Sequence, residues 1–477
     1  MKRGAGAGTL TILSENDLQR LHASALSLLE DPGVLSRSRR ILDLFRKAGA
    51  PVDQESGVIR VAPDMVEAAI ASAPKSFVIH GRDPDMDLLV ESGRVFYGMG
   101  GTSEPYVWDH EAGRPREPIK ADMETATRVG HSLANIDFVM ALCTSGDAPK
   151  EHVFFHDYDA MLRNTTKPIV FSVLGLRSTT KILEMAAAAC GGESGLRRRP
   201  LGMAMASGVS PLVVTELNEG ILEAVEFGVP IRYGVGPMMG GTSPATVAGN
   251  LAQSVAETLF GLALVQVIKP GAPVVLAPNT NAMDMATGQC TYASPEQNLG
   301  KAAVAQLGRF YGLPTWGTAG GVESKLPDSE AAAQAAMTML LCGLAGLTFC
   351  QNLGTLASGL YGSVEQLLIC DEIAHTVNRL LAGFSVTDDA LALDVIRAVG
   401  HGKDFLTHDH TLTHFKRSLF FPSLFRRQSV HQWLEGGGRP IVEVAHGRVR
   451  EILAGATAIP LPEGAGDELD RILCSLD

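Results

Sequence analysis

Pro237-Met-Met-Gly-Gly-Thr-Ser-Pro244 joins a β-prone run, Val229-Pro-Ile-Arg-Tyr-Gly-Val-Gly236, to a long apolar helical pattern that stops at Lys269-Pro270-Gly271. Gly240 and Gly241 let backbone come close to a ligand, Ser243 is placed to cap the helix, and Pro244 suits its first turn. A strand end feeding a helix N-terminus through glycines is a place to hold an anionic group. It is equally the signature of a tight, well-capped βα turn. Whether the unit repeats decides the fold.

It does repeat. Outward from this stretch, β-prone runs occur at Arg94–Met99, Phe138–Cys143, Pro168–Val173, Leu201–Ala206, Val229–Gly234, Pro273–Ala277, Leu313–Thr318 and Leu347–Gln351. A helical pattern follows each: Ala121–Ala134, Glu151–Arg163, Thr179–Ala189, Pro211–Glu226, Pro244–Val267, Pro295–Phe310, Asp328–Leu341 and Ser363–Leu381. Strands alternating with helices predict an α/β fold, and this rhythm is that of a TIM (β/α)8 barrel over 91–382. Residues 1–90 read as an N-terminal α+β preface, opened by a helix that Ser14 caps. Residues 383–477 read as a C-terminal helical extension packed on the barrel, with helical segments at Asp388–Val399, Ser429–Glu435 and Gly466–Leu476.

Composition narrows the function. The 477 residues carry a net charge of −12, which lacks the basic footprint of a nucleic-acid binder. Seven cysteines, odd in number and without a CxxC pair, suit buried thiols in a reducing cytoplasm. Residues 331–364 carry no charge at all, yet Gly343, Gly346, Gln351 and Asn352 interrupt them, so a buried helix and a core strand are expected, not a membrane span.

In such barrels chemistry sits where the strands end. The first run ends in Met99-Gly-Gly-Thr-Ser103 and then Glu104; the fifth ends in Met239-Gly-Gly-Thr-Ser243, an echo from the opposite side of an eight-stranded ring. The sixth ends at Asn279 and Asn281, the seventh near Glu323 and Ser324, the eighth at Gln351 and Asn352. These ends hold glycines, hydroxyls and amides, with no carboxylate pair or nucleophilic triad. Aromatics are only 6 %, and Tyr97, Tyr106, Trp108, Trp316 and Phe349 fall at or near strand ends, where several rings together would hold a quaternary ammonium. His152 and His156 share a helix face. His408, His410 and His414 form an HxHxxxH pattern that no cysteine or acid completes, so no bound metal is expected.

Several stretches resemble the trimethylamine methyltransferase family. They are Leu21-His-Ala-Ser-Ala-Leu-Ser-Leu-Leu-Glu-Asp-Pro-Gly-Val34, Gly240-Gly-Thr-Ser-Pro-Ala-Thr-Val-Ala-Gly-Asn250, Lys269-Pro-Gly-Ala-Pro273, Ser324-Lys-Leu-Pro-Asp-Ser-Glu330, Ala390-Leu-Ala-Leu-Asp-Val-Ile396 and His410-Thr-Leu412. The resemblance spans about residues 15–455 and implies a TIM barrel moving a methyl group from an amine to the cobalt of a separate corrinoid protein. Pyrrolysine, which the archaeal trimethylamine enzymes of the family carry, is absent here. The resemblance therefore points to the branch acting on glycine betaine. No Asp-x-His-x-x-Gly cobalamin motif occurs, so the corrinoid (cobalamin) is expected on another polypeptide.

The expected reaction needs little beyond positioning. A quaternary amine leaves as a neutral tertiary amine, so no general acid is required, and alignment alone can supply roughly 7–11 kcal/mol. No catalytic residue is assigned. The expected substrate site is Tyr97, Glu104, Thr242, Ser243, Trp316, Phe349, Gln351 and Asn352, with the ammonium against the rings and a carboxylate facing Thr242 and Ser243. The expected corrinoid-facing residues are Gly100, Gly101, Thr102, Gly240, Gly241, Asn279, Asn281 and Ser324. Expected partners are a corrinoid protein, a small quaternary amine and further copies of the chain, with neither nucleic acid nor membrane. The alternatives are a non-catalytic binding protein for methylated amines or a corrinoid partner, and a barrel lyase or hydrolase.

Overall fold

The computed structural model describes residues 1–2, 4–101 and 104–476; Thr102 lies outside the described residues. The fold is mixed α/β. Eight strands correspond to the eight predicted runs: β1 (Arg94–Met99), β2 (Phe138–Val139), β3 (Val170–Ser172), β4 (Met203–Ser207), β5 (Ile231–Val235), β6 (Val274–Pro278), β7 (Trp316–Thr318) and β8 (Phe349–Leu353). They pair in parallel in two arcs, β3-β4-β5-β6 and β7-β8-β1-β2. Single parallel bridges, Val139 to Ile169 and Leu276 to Thr315, link β2 to the run before β3 and β6 to the run before β7.

The helices that follow are α1 (Lys120–Ser132), α2 (Val153–Asn164), α3 (Leu176–Ala189), α4 (Gly220–Glu226), α5 (Val247–Ile268), α6 (Pro295–Tyr311), α7 (Ser329–Ala345) and α8 (Val364–Leu381). Two start later than the sequence pattern suggests. Thr246, not Ser243, caps α5, accepting from the Gly249 N–H at 3.2 Å. Pro211 follows a cis peptide bond, and a 3-10 turn at Glu216–Glu219 precedes α4. The uncharged stretch resolves into most of α7 and all of β8, as expected from its polar interruptions.

α5 is 22 residues long, and 83 % of its most apolar window is buried. An amphipathic helix needs one apolar stripe; this one is covered on all sides. β5 and β6 lie on one side, and helices Glu15–Glu30, Arg39–Lys47 and Pro63–Ser72 on the other. The first of these begins with the expected capping box, Ser14 Oγ accepting from Asp17 N–H and Asp17 accepting from Ser14 N–H. The C-terminal residues add helix Ile441–Gly455, packed on α8 and α1, and helix Ala465–Cys474, packed on α3 and α2. The former was missed in the sequence, where its β-branched residues and Gly447 weaken the helical signal. The predicted Asp388–Val399 helix is broken at Ala392, which has φ 48°.

Side chains on the eight strands alternate between two buried clusters. One contains Val95, Tyr97, Met99, Ala204, Ile231, Tyr233, Val274 and Leu276 and packs against the helices. The other gathers Phe96, Phe138, Met140, Val170, Met203, Met205, Val275, Ala277, Trp316 and Phe349 from seven of the strands. A hairpin, Phe77–Ile79 with Leu88–Val90, contributes Ile79, Leu88 and Val90 to that shared cluster. His80, just beyond it, bridges Leu201 at the start of β4, so the hairpin stoppers the N-terminal end of the strands. Their C-terminal ends are left for a site.

Candidate functional site

Strand register decides which aromatic residues face the shared cluster. Trp316 pairs with Phe349 and Phe349 with Phe96, so all three point inward, and Tyr97 points the other way. The Tyr97 hydroxyl lies in the helix layer beside Gly343 of α7, and this residue is removed from the substrate site. The inward rings contact one another: Trp316 and Phe349 stack at 5.3 Å, Phe96 and Phe349 at 5.4 Å, and Phe138 meets Trp316 at 5.0 Å. Trp316 and Phe349 are both fully buried. They form a packed plug, not an open box. Trp316→Ala is expected to cost about 3–5 kcal/mol of stability by opening a cavity, measured by chemical denaturation. Tyr106 is exposed on a hairpin, and Trp108 stacks on Tyr361 at 6.4 Å.

Above the plug stands a residue that the sequence reading passed over. Arg232 on β5 is 4 % exposed, with its guanidinium carbon 5.9 Å from the Trp316 ring. Its Nη1 donates to Ser207 Oγ at 3.3 Å, at the C-terminal end of β4, and its Nε has no partner. No described carboxylate pairs with it. Gly234, two residues on, makes the room: a Cβ there would sit 2.9 Å from Nη1. Burial lowers the guanidinium pKa to about 10, which still leaves it charged at neutral pH. An unpaired buried cation costs several kcal/mol, a cost that a bound anion removes. A signal was present: Arg232 is the only charged residue in a run whose parallel strand is covered on both faces.

Acceptors collect at the ends of β1 and β8. Glu104, 3 % exposed, accepts from Thr355 Oγ1 at 2.9 Å through Oε1, and its Oε2 has no partner. Burial pushes its pKa up to about 8. Asn352 sits at φ 73° in a β-bulge, its N–H donating to Gly100 O at 2.9 Å, with Oδ1 unpartnered. Such left-handed backbone in a non-glycine residue is a form of strain that gathers at functional sites. Gln351 Oε1 is also unpartnered. Gly101 allows the group to assemble, since a Cβ there would lie 2.6 Å from Asn352 Nδ2 and 2.8 Å from Glu104 Oε1. Tyr292, also missed in the sequence, joins them: its ring lies against Gly321 and Gly359, and burial, then Cys290 and Glu104, hold its phenol well above the ordinary range. Glu323 accepts from the N–H groups of Tyr292 and Ala293 at 2.6 and 2.7 Å and so fixes that loop.

Thus Gly100, Gly101, Glu104, Gln351 and Asn352 come together, and other expected residues do not. The echoing pentapeptides share a positive φ at Gly100 and Gly240, yet Gly100 and Gly101 are buried while Gly240, Gly241 and Thr242 are exposed. Thr242 Oγ1 accepts from Met238 N–H at 2.9 Å, and Ser243 Oγ from Asn250 Nδ2 at 2.6 Å, so both hydroxyls brace their own turn. Asn279 donates to Val235 O, Asn281 accepts from Gln297, and Ser324 holds Leu326 O and Asp328 at the cap of α7. His408 caps helix Asp409–Ser418, and His410 stacks on His414 at 4.2 Å.

A family model described as trimethylamine methyltransferase matches residues 4–473. A trimethylamine methyltransferase of Desulfitobacterium hafniense is 34 % identical over 465 residues, covering 96 % of this chain and 92 % of that one. A glycine betaine methyltransferase from another strain of that species is 29 % identical, covering 93 % and 92 %. Among solved structures, the monomethylamine methyltransferase of Methanosarcina barkeri covers 94 % of this chain and 96 % of its own, with 12 % identity and a TM-score of 0.48.

Proposed function

Since the chain belongs to the trimethylamine methyltransferase family and is a methyltransferase, we propose that it demethylates a small zwitterionic quaternary amine, glycine betaine or a close relative. The acceptor is Co(I) of a corrinoid held by a separate protein. The two arcs of strands act as one (β/α)8 barrel, with residues 1–90 and 383–477 as its attachments. The observation that carries the substrate reading is Arg232, a permanent buried cation whose donors meet no carboxylate among the described residues. Trimethylamine has no carboxylate and would leave it unpaired; a betaine supplies one.

The polar groups suit a zwitterion. Arg232 is on β5, four strands from β1, while Glu104, Gln351 and Asn352 cluster at the ends of β1 and β8. Carboxylate to Arg232 and trimethylammonium toward the orphan acceptors orients the N–CH3 bond without any proton transfer. A neutral tertiary amine departs, so the chemistry requires no general acid. The corrinoid would supply a strong cobalt nucleophile in line with that bond. The exposed Gly240–Thr242 turn and the neighbouring loop with Met285, 74 % exposed, leave the rim beside β5 and β6 open to a docking protein.

Incubation with cob(I)alamin and, separately, glycine betaine, choline and trimethylamine tests the reading. Methylcobalamin absorbance is expected with glycine betaine and not with trimethylamine. Equal rates with choline and betaine, or turnover of trimethylamine alone, would overturn it.

A further inference from the structure

Three segments far apart in sequence meet away from the site described above. His110 lies in the turn between strands Tyr106–Asp109 and Arg114–Arg116, Glu365 in the first turn of α8, and His446 in helix Ile441–Gly455. A ligand atom from each lies within 4.8 Å of the other two. We propose that His110, Glu365 and His446 bind a divalent transition-metal ion, zinc being the best fit, which clamps the C-terminal helix to the hairpin and to α8. This departs from the expectation of no metal.

The chemistry favours a metal over a plain ion-pair cluster. The two imidazoles stack at 4.0 Å and 15°, an arrangement that two protonated rings would oppose by charge repulsion. Neutral imidazole is the form that ligates. Three carboxylates surround the pair. His446 Nδ1 is 3.0 Å from Glu365 Oε1, His446 Nε2 is 3.3 Å from Glu111 Oε1, and His110 Nε2 is 3.5 Å from Glu443 Oε1. That leaves an excess of negative charge for a dication to balance. Two imidazole nitrogens and a carboxylate oxygen form a common zinc set, with bonds of about 2.0–2.1 Å and ligand atoms about 3.3 Å apart. Small side-chain rotations reach that spacing from the present one. Ser363 Oγ donates to Glu365 Oε2 at 2.8 Å, orienting the buried carboxylate so that Oε1 faces the histidines. Water would complete a tetrahedron.

The full-length protein, stripped with chelator and dialysed, is titrated with Zn2+ by calorimetry. One equivalent per chain is expected, with a rise in Tm on loading. His110→Ala and His446→Ala should each weaken binding more than roughly 100-fold, beyond the loss typical of removing a supporting outer-shell partner, and should abolish the Tm rise. His410→Ala should leave both intact. No saturable binding by the wild type, or unchanged binding in both variants, would overturn the proposal, as would loss of binding in His410→Ala alone. Co2+ on the wild type gives a reading independent of variant folding: intense tetrahedral d–d bands support the site, and a weak octahedral spectrum overturns it.

Discussion

Arg232→Met is expected to reduce kcat/KM for glycine betaine by about 30-fold to several thousandfold, corresponding to the 2–5 kcal/mol typical of a desolvated, hydrogen-bonded charge pair. The same substitution should leave the folded protein as stable as the parent, or more stable by about 1–4 kcal/mol, because an apolar side chain of similar volume replaces an unpaired buried cation. Opposite signs for activity and stability are the diagnostic feature. A structural arginine would lose both together. Chemical denaturation gives the stability and the methylcobalamin assay the activity. Unchanged betaine turnover with wild-type affinity would remove Arg232 from the site. Arg232→Lys should not restore the parent, because a lysine at that depth is a compact, strongly hydrated charge without the planar fork.

The second large effect is on pH dependence. Glu104 is buried, burial raises its pKa to about 8, and one of its oxygens has no partner. In the free enzyme it is mainly protonated at neutral pH. A quaternary ammonium favours the ionised form, so kcat/KM should rise with pH through the range below about 8 and level off above it. Glu104→Gln should abolish that rise and lie roughly 10–100-fold below the parent at pH 9, the loss of about 1.4–2.8 kcal/mol of charge interaction. The linkage to stability has the matching sign. The folded-state pKa lies above the unfolded value near 4.3, so the neutral carboxyl's contribution is complete below that value and is lost as pH rises toward about 8. The glutamine variant should not lose stability across that window. A flat parental profile would show that Glu104 faces no cation.

Much of the fold was legible because its determinants are local. Ser14 and Asp17 form a capping box three residues apart, and the β-runs and helical patterns alternate eight times with turn signals between them. The stretches from Leu21 to His410 were enough to indicate the family. Reading the ends of the first and eighth runs put Glu104, Gln351, Asn352, Gly100 and Gly101 among the expected site residues, and the structure places them around the ends of those strands.

What only tertiary structure decided was the direction each of these residues faces. Parallel strands covered on both sides are apolar on both faces, so Tyr97 and Phe96 offer no sequence cue to which one points inward; the two-residue period makes a single slip exchange them. The pentapeptide Met-Gly-Gly-Thr-Ser occurs twice, buried over its two glycines at 100–101 and exposed at 240–242, because burial depends on which loops cover a strand end and not on the strand's own residues. The opening stretch therefore remains a turn before a helix, braced by its own hydroxyls. Its decisive residue is Arg232, just before it, whose lack of a carboxylate partner among the described residues depends on every neighbouring strand.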